Sequence, residues 1–412
     1  MTTLILGDNN LSGEVNFAGM NNLKELILEN NKFSGPFPDL SDSPGIQVLR
    51  LGNNDFDNLF FPTNYLEMSS MINLGLNNLY LTGEIPASIG TLAKLEVINL
   101  EGNSLNGIIP LSLTDLSGLR ELSVHNNELS GTIPVEISFL TNLETLALSS
   151  NKFLSVVPRA IRRLTSLKTL KLASNLLDGQ ILTLLDSLSE LEVLDLAGNA
   201  FTGAVPDSFW ALTSLHTLIL ADNYFTGRIP GSIGDLKQLQ TLNAASNSFR
   251  GRIHQNIASL THLEVLDLSF NFFGGPIPSN IGDLSDLREL RLGTNFDESN
   301  EFFGLDGTIP ASIANMHKLK KLEVNRNRIS GFLPSKHKFL KSIQIYDVSD
   351  NEKLGGTIPK DFSNMAELYG LNIFGTNIDG NIPNDLCNRN VTIRVDCGGA
   401  TSIECSCCLC YQ

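Results

Sequence analysis

Cysteine is absent from residues 1–386 of this 412-residue chain. All six cysteines come after that point, as Cys387, Cys397, Cys405, Cys407, Cys408 and Cys410. The first 386 residues must therefore fold without disulfide bonds. The clustering at one end leaves three interpretations open: a metal cluster, a redox device, and a cross-linked end of the fold.

Basic residues and long apolar runs are also scarce. The chain has 29 Lys and Arg against 44 Asp and Glu, for a formal net charge of −15. Nucleic acid and anionic membrane surfaces repel such a protein, so both are disfavoured as partners. No run of 18 apolar residues exists, so no segment is predicted to span a bilayer. The first residues, MTTLILGDNN, lack the basic region of a signal peptide and begin inside a structural unit.

What the chain does contain is one repeated unit. Residues 95–118 and 119–142 share the pattern L-x-x-L-x-L-x-x-N-x-L-x-G-x-I-P-x-x-[LI]-x-x-L. The leading apolar residue recurs every 24 residues from Met71 to Leu287, and about 16 repeats fill residues 1–386. A repeat of this kind buries its apolar face only against its neighbours. The sequence therefore predicts one solenoid over residues 1–386, followed by a cap over residues 387–412.

Each column of the repeat has a physical role. The L-x-L segment alternates like a half-buried strand, and stacked strands would form a parallel sheet on the concave side. The Asn column, occupied in 14 of 16 repeats, would form a ladder that satisfies buried backbone groups. Leu79 and Thr376 are the exceptions, where a weaker ladder is expected. The segment after the Pro is too short for a full α-helix and predicts a 3₁₀ turn.

This pattern resembles the plant-type leucine-rich repeat family, including receptor-kinase ectodomains and polygalacturonase-inhibiting proteins. The resemblance implies an α/β-type solenoid, a leucine-rich repeat superhelix that binds proteins, peptides or glycans on its concave side. The N-terminal cap of that family is missing here, so any anchor or signal would lie upstream of Met1. The cysteine-rich tail departs from the family and instead resembles algal, diatom-type leucine-rich repeat proteins.

The tail occupies the place where a solenoid needs a terminal cap. The segment VTIRVDC alternates like one more strand, with Val391, Ile393 and Val395 directed inward. Six cysteines allow three disulfides in fifteen connectivities, and the adjacent Cys407 and Cys408 are not expected to pair with each other. A disulfide cap is favoured over a metal site or free thiols, because the tail lacks the two separate C-x₂-C pairs of zinc ribbons and no His lies nearby.

Two sequons, at Asn10 and Asn390, are candidate glycosylation sites. Catalysis is not predicted, because no phosphate-binding loop, H-E-x-x-H, G-x-S-x-G or kinase motif occurs, and no cofactor is implied. Asp195, Asp267 and Asp347 share one column, and a solvated strand face explains them better than a glycosidase carboxylate pair.

The break in the period marks the candidate binding site. Leu287 and Leu319 are 32 residues apart, and the surplus lies within residues 295–307. An insertion in a solenoid loops out on one face, often the binding face. Aromatic residues and Arg around it have the composition of binding hot spots, against the alternative that the phenylalanines cover the insertion. The candidate ligand-binding residues are Phe270, Phe272, Arg291, Phe296, Phe302, Phe303, Glu323, Arg326, Arg328 and Asp347.

These observations predict a non-catalytic recognition module in the extracellular space or at the cell surface. Its partner would be a protein, peptide or glycan, with no nucleic acid and no membrane insertion by this segment. Two alternatives stay open: a structural or adhesive wall protein, and an inhibitor of a secreted polysaccharide-degrading enzyme.

Overall fold

The computed structural model describes residues 1–57, 59–295, 304–389, 391–396, 403–405 and 407–411. The chain forms two compact units, residues 1–201 and 202–412, and the cysteine-rich tail belongs to the second. Each unit is a stack of repeated coils. The predicted solenoid architecture is therefore confirmed within each unit.

In the first unit one short strand from each coil joins a parallel sheet, in which every strand pairs with the one in the next coil. These sheet strands are Thr3–Ile5, Glu25–Ile27, Val48–Arg50, Asn73–Gly75, Val97–Asn99, Glu121–Ser123, Thr145–Ala147, Thr169–Lys171 and Val193–Asp195.

The second unit has a parallel sheet of the same construction. Its sheet strands are Thr217–Ile219, Thr241–Asn243, Val265–Asp267, Glu289–Arg291, Lys321–Glu323, Ile345–Asp347, Gly370–Asn372, Thr392–Asp396 and Leu409–Tyr411.

The register aligns the central residue of each sheet strand with that of its neighbours, as in Leu122 opposite Leu146. From Leu26 to Leu371 these central residues are buried. The residues on either side of them point away from the core, because successive side chains in a strand alternate between faces. We call this outward side of the sheet strands the sheet face.

A second strand follows the ladder position of each coil, and these return strands also pair in parallel. They are Ser12–Gly13, Lys32–Gly35, Asp55–Phe56, Thr82–Glu84, Ser104–Asn106, Ser130–Gly131, Lys152–Val156, Leu176–Gly179, Ala200–Ala204, Tyr224–Gly227, Ser248–Gly251, Phe272–Pro276, Gly304–Asp306, Ser330–Phe332, Asn351–Thr357, Thr376–Asn381 and Ile403–Glu404.

The predicted 3₁₀ turns are confirmed, and a proline precedes most of them. Proline fits this position because its fixed φ starts the turn and its missing N–H needs no partner. The 3₁₀ helices are Thr63–Glu67, Ala87–Thr91, Leu111–Asp115, Val135–Phe139, Arg159–Arg163, Ile181–Leu184, Asp207–Ala211, Gly231–Asp235, Gln255–Ser259, Ile281–Asp283, Ala311–Asn315, Ser335–Phe339 and Lys360–Asn364; an α-helix covers Asn384–Cys387.

The asparagine ladder is present, and Asn175 illustrates its bonding. Its amide nitrogen donates to the carbonyls of Leu172 in its own coil and Leu148 in the preceding coil, both at 3.0 Å. Its Oδ1 accepts from the backbone N–H of Phe153 at 3.0 Å. One side chain thus satisfies backbone groups of two coils that are buried away from water.

The two exceptions to the ladder differ from each other. Leu79 has no polar side chain, and Asn103 of the next coil instead accepts from the N–H groups of both Leu79 and Leu81. The Thr376 hydroxyl donates to the carbonyl of Ile373 in its own coil. Neither residue supplies an amide that reaches back to the preceding coil.

The ladder passes the insertion without losing register. Asn327 donates to the carbonyl of Leu292, a separation of 35 residues. The corresponding separation at Asn175 is 27 residues. Glu289 still pairs with Lys321 in the sheet. The surplus residues therefore lie between Asn295 and Gly304 in the sequence, and residues 296–303 lie outside the described residues.

The sequence after the last repeat extends the sheet, as predicted. Thr392–Asp396 pairs in parallel with Gly370–Asn372, and Val391, Ile393 and Val395 are buried. A further strand, Leu409–Tyr411, pairs with Thr392–Asp396 and was not predicted. The tail thus covers the open edge of the last repeat.

We expect Asn175→Ala to lower the free energy of unfolding by about 1–3 kcal/mol, because it leaves buried backbone groups of two coils without partners. Ala173→Ser, a change two residues away on the half-buried turn, is the matched control and should have little effect. Urea unfolding of the two variants checks this. Equal midpoints would show that the ladder contributes nothing measurable.

Candidate ligand-binding face

The chemistry of the sheet face changes along the second unit. The third residue of its first two sheet strands is neutral, Ile219 and then Asn243. From the next strand onward this position holds Asp267, Arg291, Glu323, Asp347, Asn372 and Arg394. Neighbouring strands lie about 4.8 Å apart, so these side chains are direct neighbours.

Five of the charged side chains form one cluster, which we call the charged cluster: Asp267, Glu289, Arg291, Lys321 and Glu323. Nη1 of Arg291 lies 3.3 Å from Oδ2 of Asp267, and Nη2 contacts the Glu289 carboxylate. Nζ of Lys321 lies 2.9 Å from Oε1 of Glu323. Three carboxylates and two cations give the cluster a formal charge of −1. The acids that contact Arg291 lie on its own strand and on the two neighbouring strands.

One donor of Arg291 is left over within this arrangement. Its Nε is buried and has no hydrogen-bond partner among the described residues. Oε2 of Glu323 lies 3.6 Å from it, which is close enough for ion pairing but too long for a hydrogen bond. The guanidinium is therefore oriented by its acids without being fully hydrogen-bonded.

The aspartates of this column also fix the turn that follows each strand. Oδ1 of Asp267 accepts from the backbone N–H of Ser269 at 3.0 Å, and Asp347 bonds Ser349 in the same way at 3.0 Å. In the first unit, Asp195 accepts from Ala197, and burial raises the pKa of Asp195. This local bonding explains the recurring acids as turn residues and supports the non-catalytic interpretation.

Asp347 begins a second hydrogen-bonded row across three strands. Its Oδ2 accepts from Nδ2 of Asn372 at 2.7 Å, and Oδ1 of Asn372 accepts from Nη1 of Arg394 at 3.0 Å. Asn372 and Arg394 were not predicted as site residues. The signal was available in the sequence, because both occupy the same column as Arg291 and Asp347.

Phe270 lies at the end of this face in an unusual backbone conformation. The residue before the ladder Asn has a positive φ in many coils, and it is Asn30, Asn53 and Asn126 in three of them. Phe270 takes that position with φ of 53° and is 56% exposed. A left-handed conformation costs a bulky L-residue about 1–2 kcal/mol. An aromatic residue therefore stands, exposed, at a position whose backbone conformation is energetically unfavourable for it.

Arg326 occupies the same position in a later coil. Its φ is 51°, and its Nε lies 3.3 Å from Oδ2 of Asp350 in the next coil. Phe272 and Arg328, by contrast, follow the ladder Asn and therefore belong to the return-strand side of the coil. The structure thus brings Arg291 and Glu323 together, but separates Phe272 and Arg328 from them. Phe296, Phe302 and Phe303 lie outside the described residues.

The cysteine-rich tail contains disulfides, as predicted. Cys387 is bonded to Cys407, Cys405 is bonded to Cys408, and Cys410 is also disulfide-bonded. The adjacent Cys407 and Cys408 do not pair with each other. Cys397 and the sequon residue Asn390 lie outside the described residues, whereas Asn10 is exposed. Glycosylation at either Asn stays a prediction.

Comparison with known proteins identifies the class. The family model described as "Leucine-rich repeat region" matches residues 175–368. The model "Leucine Rich Repeat" matches residues 22–43, 94–116, 118–140 and 142–164. The matches agree with the coils, sheets and ladder described above, so the chain is a leucine-rich repeat protein.

Sequence relatives specify the type of repeat. The chain is 37% identical to Pollen receptor-like kinase 2 of Arabidopsis thaliana over 103 residues, 24% of this chain and 16% of that protein. It is 37% identical to Receptor-like protein 7 of Arabidopsis thaliana over 109 residues, 25% of this chain and 11% of that protein. The matched segments thus span only a small part of either relative.

Solved structures agree over nearly the whole chain. The crystal structure of a TDR receptor has a TM-score of 0.85 at 27% identity, covering 98% of this chain and 68% of that one. The plant peptide hormone receptor RGFR1 in complex with RGF2 has a TM-score of 0.81 at 26% identity, covering 95% and 70%. The chain belongs to the plant-type leucine-rich repeat family. The family matches end at residue 368, so the algal resemblance of the tail stays a prediction.

Among the residues that the structure describes, no helix is both long and apolar enough to cross a membrane.

Proposed function

We propose that this protein is a ligand-recognition module at the cell surface or in the extracellular space, and that it binds a peptide or protein segment along the sheet face of its second unit. The proposed site covers residues 268–350 with the adjoining Asp267. Recognition, rather than catalysis, is the proposed role.

The observation that carries this proposal is the contrast along the sheet face. In the second unit, the charged cluster fixes Arg291, and Phe270 of the preceding coil is exposed. Ala147, which holds the position of Arg291 in another coil, is small and buried. Oriented charges and an exposed aromatic ring give a ligand both directional contacts and apolar area, whereas small neutral residues give neither.

The relatives support the general class of function, which is ligand recognition. One matched relative is a receptor-like kinase, and one similar structure is a peptide hormone receptor in complex with RGF2. The residues of the sheet face differ from chain to chain in a repeat family, so the ligand of this protein has to be established on its own residues. Glycan binding at this face and the wall-protein and inhibitor hypotheses are the competing functions.

We expect Phe270→Asn to weaken peptide binding about thirtyfold, or about 2 kcal/mol, because it removes an exposed aromatic anchor. The same change should leave the fold as stable or more stable by about 1 kcal/mol, because Asn adopts positive φ more readily than Phe. A peptide selected on the wild-type protein from a random display library provides the probe. Titration calorimetry gives the affinity, and urea unfolding gives the stability.

The matched control is Tyr80→Asn. Tyr80 is also an exposed aromatic residue at positive φ, 67% exposed with φ of 56°, but it lies in the first unit. Its replacement should leave the affinity unchanged. If both variants weaken peptide binding equally, or if neither variant weakens it, the support for a localised site is lost. A structural or adhesive protein would then be favoured. Arg291→Ala is a less clean test, because it leaves Asp267, whose side chain is 8% exposed, without its cation.

A further inference from the structure

A groove of about 1150 Å³ lies on the return-strand side of the second unit, away from the sheet face. Its polar lining includes Arg228, Arg250, Arg252 and His254, and its apolar lining includes Phe272 and Pro276. The three arginines and His254 are exposed. The groove therefore presents a concentrated positive charge on a protein whose formal net charge is −15.

Glycine makes room for the arginine side chains. A methyl group at Gly251 would lie 3.1 Å from Cδ of Arg228, and one at Gly275 would lie 2.9 Å from Cγ of Arg252. Each arginine thus lies across the glycine of the next coil. Coil stacking places Arg228 and Arg252 at the same position of successive coils, one strand spacing of about 4.8 Å apart along the stack.

Among the residues that the structure describes, no acid pairs with these arginines. The lining contains no Asp or Glu. Arg50, Arg120 and Arg288 each pair with a glutamate, but within the described residues none of the three groove arginines forms an ion pair. Guanidinium groups match the geometry of carboxylate, sulfate and phosphate oxygens. The groove is therefore complementary to a ligand that carries several anionic groups.

We propose that this groove binds a linear acidic polysaccharide, whose carboxylate or sulfate groups pair with Arg228, Arg250 and Arg252. A chain of sugars can place one anionic group against each successive coil and lay its ring faces on Phe272 and Pro276. The site uses residues separate from the charged cluster, so it stands independently of the peptide-binding proposal.

Two other macromolecules fit less well. A peptide that adds as a strand needs unpaired backbone groups. Ser248–Gly251 is already paired on both sides, with Tyr224–Gly227 and Phe272–Pro276. A nucleic acid duplex carries about one charge per 1.7 Å of its axis, much denser than the coil spacing of about 4.8 Å, so most of its charge would face the surrounding acidic surface and not an arginine.

The test compares the full chain with Arg228→Gln/Arg252→Gln, using heparin as the sulfated probe, alginate as the carboxylated probe and dextran as the neutral one. We expect the wild type to bind heparin, alginate or both, and not dextran. The double variant should bind at least tenfold more weakly with an unchanged melting temperature. Binding of one acidic probe alone would identify sulfate or carboxylate as the recognised group.

The charge control is Arg159→Gln/Arg163→Gln, which removes two exposed arginines from the first unit. It should keep wild-type affinity. Gln255→Glu adds an acid to the groove lining without changing side-chain size, and it should weaken binding even if the double variant folds poorly. Failure to bind either acidic probe, equal loss in the charge control, or equally tight binding of poly-glutamate would overturn the proposal.

Discussion

Between pH 7 and pH 4 the free energy of unfolding of the coils around His337 is expected to fall by about 3 kcal/mol. The His337 ring is fully buried in the 3₁₀ helix Ser335–Phe339. Its Nδ1 lies 2.9 Å from the Tyr346 hydroxyl, and its Nε2 lies 3.3 Å from the Pro310 carbonyl. A carbonyl only accepts, so Nε2 carries the hydrogen and Nδ1 accepts from Tyr346.

This neutral tautomer satisfies both ring nitrogens, and a proton on Nδ1 would break the arrangement. Burial lowers the pKa of His337 from 6.5 to about 4. Because the folded pKa lies below the unfolded one, the unfolded chain takes up the proton first as the pH falls. The contribution of this group is therefore complete above pH 6.5 and is lost progressively down to about pH 4.

His337→Gln isolates this effect, because an amide can make both hydrogen bonds but does not titrate. We expect a flatter pH dependence of unfolding in this variant, measured by urea titration at a series of pH values. The exposed His317 provides the matched control, and His317→Gln should retain the wild-type slope. A slope that is unchanged by His337→Gln would assign the acid sensitivity to other groups.

The fold was predictable because repetition multiplies a weak pattern. One L-x-L segment is ambiguous, but a constant period of 24 residues leaves few alternatives to stacked coils. The extra strand at residues 392–396 was predictable from its own pattern, since Val391, Ile393 and Val395 alternate with polar residues as in a half-buried strand. The strand Leu409–Tyr411 was not, because it lies in the cysteine-rich tail, where the 24-residue period no longer applies.

The pairing of His337 with Tyr346 was missed, although the sequence contains its signal. His337 replaces a buried apolar residue, such as Ile313, in its 3₁₀ helix, and Tyr346 replaces the central leucine of its strand. The two polar residues replace apolar ones in the same repeat, and each supplies the other's hydrogen-bond partner.

The candidate site was only partly predictable, because column positions give neighbours but not side-chain conformations. Arg291 and Glu323 were named in the same candidate set, but the ion pairs of Arg291 with Asp267 and Glu289 depend on rotamers. The cationic groove was missed for a different reason. Its arginines are 22 and 24 residues from Arg228, and only stacked coils bring them together.

Replacing Cys387 and Cys407 together by serine is expected to lower the stability of the last coils by about 3 kcal/mol. This disulfide spans 20 residues and joins the end of the helix Asn384–Cys387 to the tail that supplies the final strand. Without it, only the disulfide of Cys410 and the pairing with Thr392–Asp396 hold the strand Leu409–Tyr411, so this terminal edge of the sheet is weakened. Because each coil is held by its neighbours, fraying should begin there. Amide hydrogen exchange should accelerate in Thr392–Asp396 and remain slow in Thr217–Ile219.

The matched control is the double change of Cys405 and Cys408 to serine, which removes a link that spans only 3 residues within the tail. It should cost less, because the entropy of closing a loop grows with its length. The sulfur atoms of Cys387, Cys405 and Cys407 lie within 4.8 Å of one another, so the reduced tail could instead hold a thiolate-bound metal. Thiol alkylation and mass spectrometry of the folded wild type decide between these states. Unreactive cysteines and no bound zinc are expected; alkylated cysteines in a protein that keeps slow exchange in Thr392–Asp396 would show that the cross-link does not hold the cap.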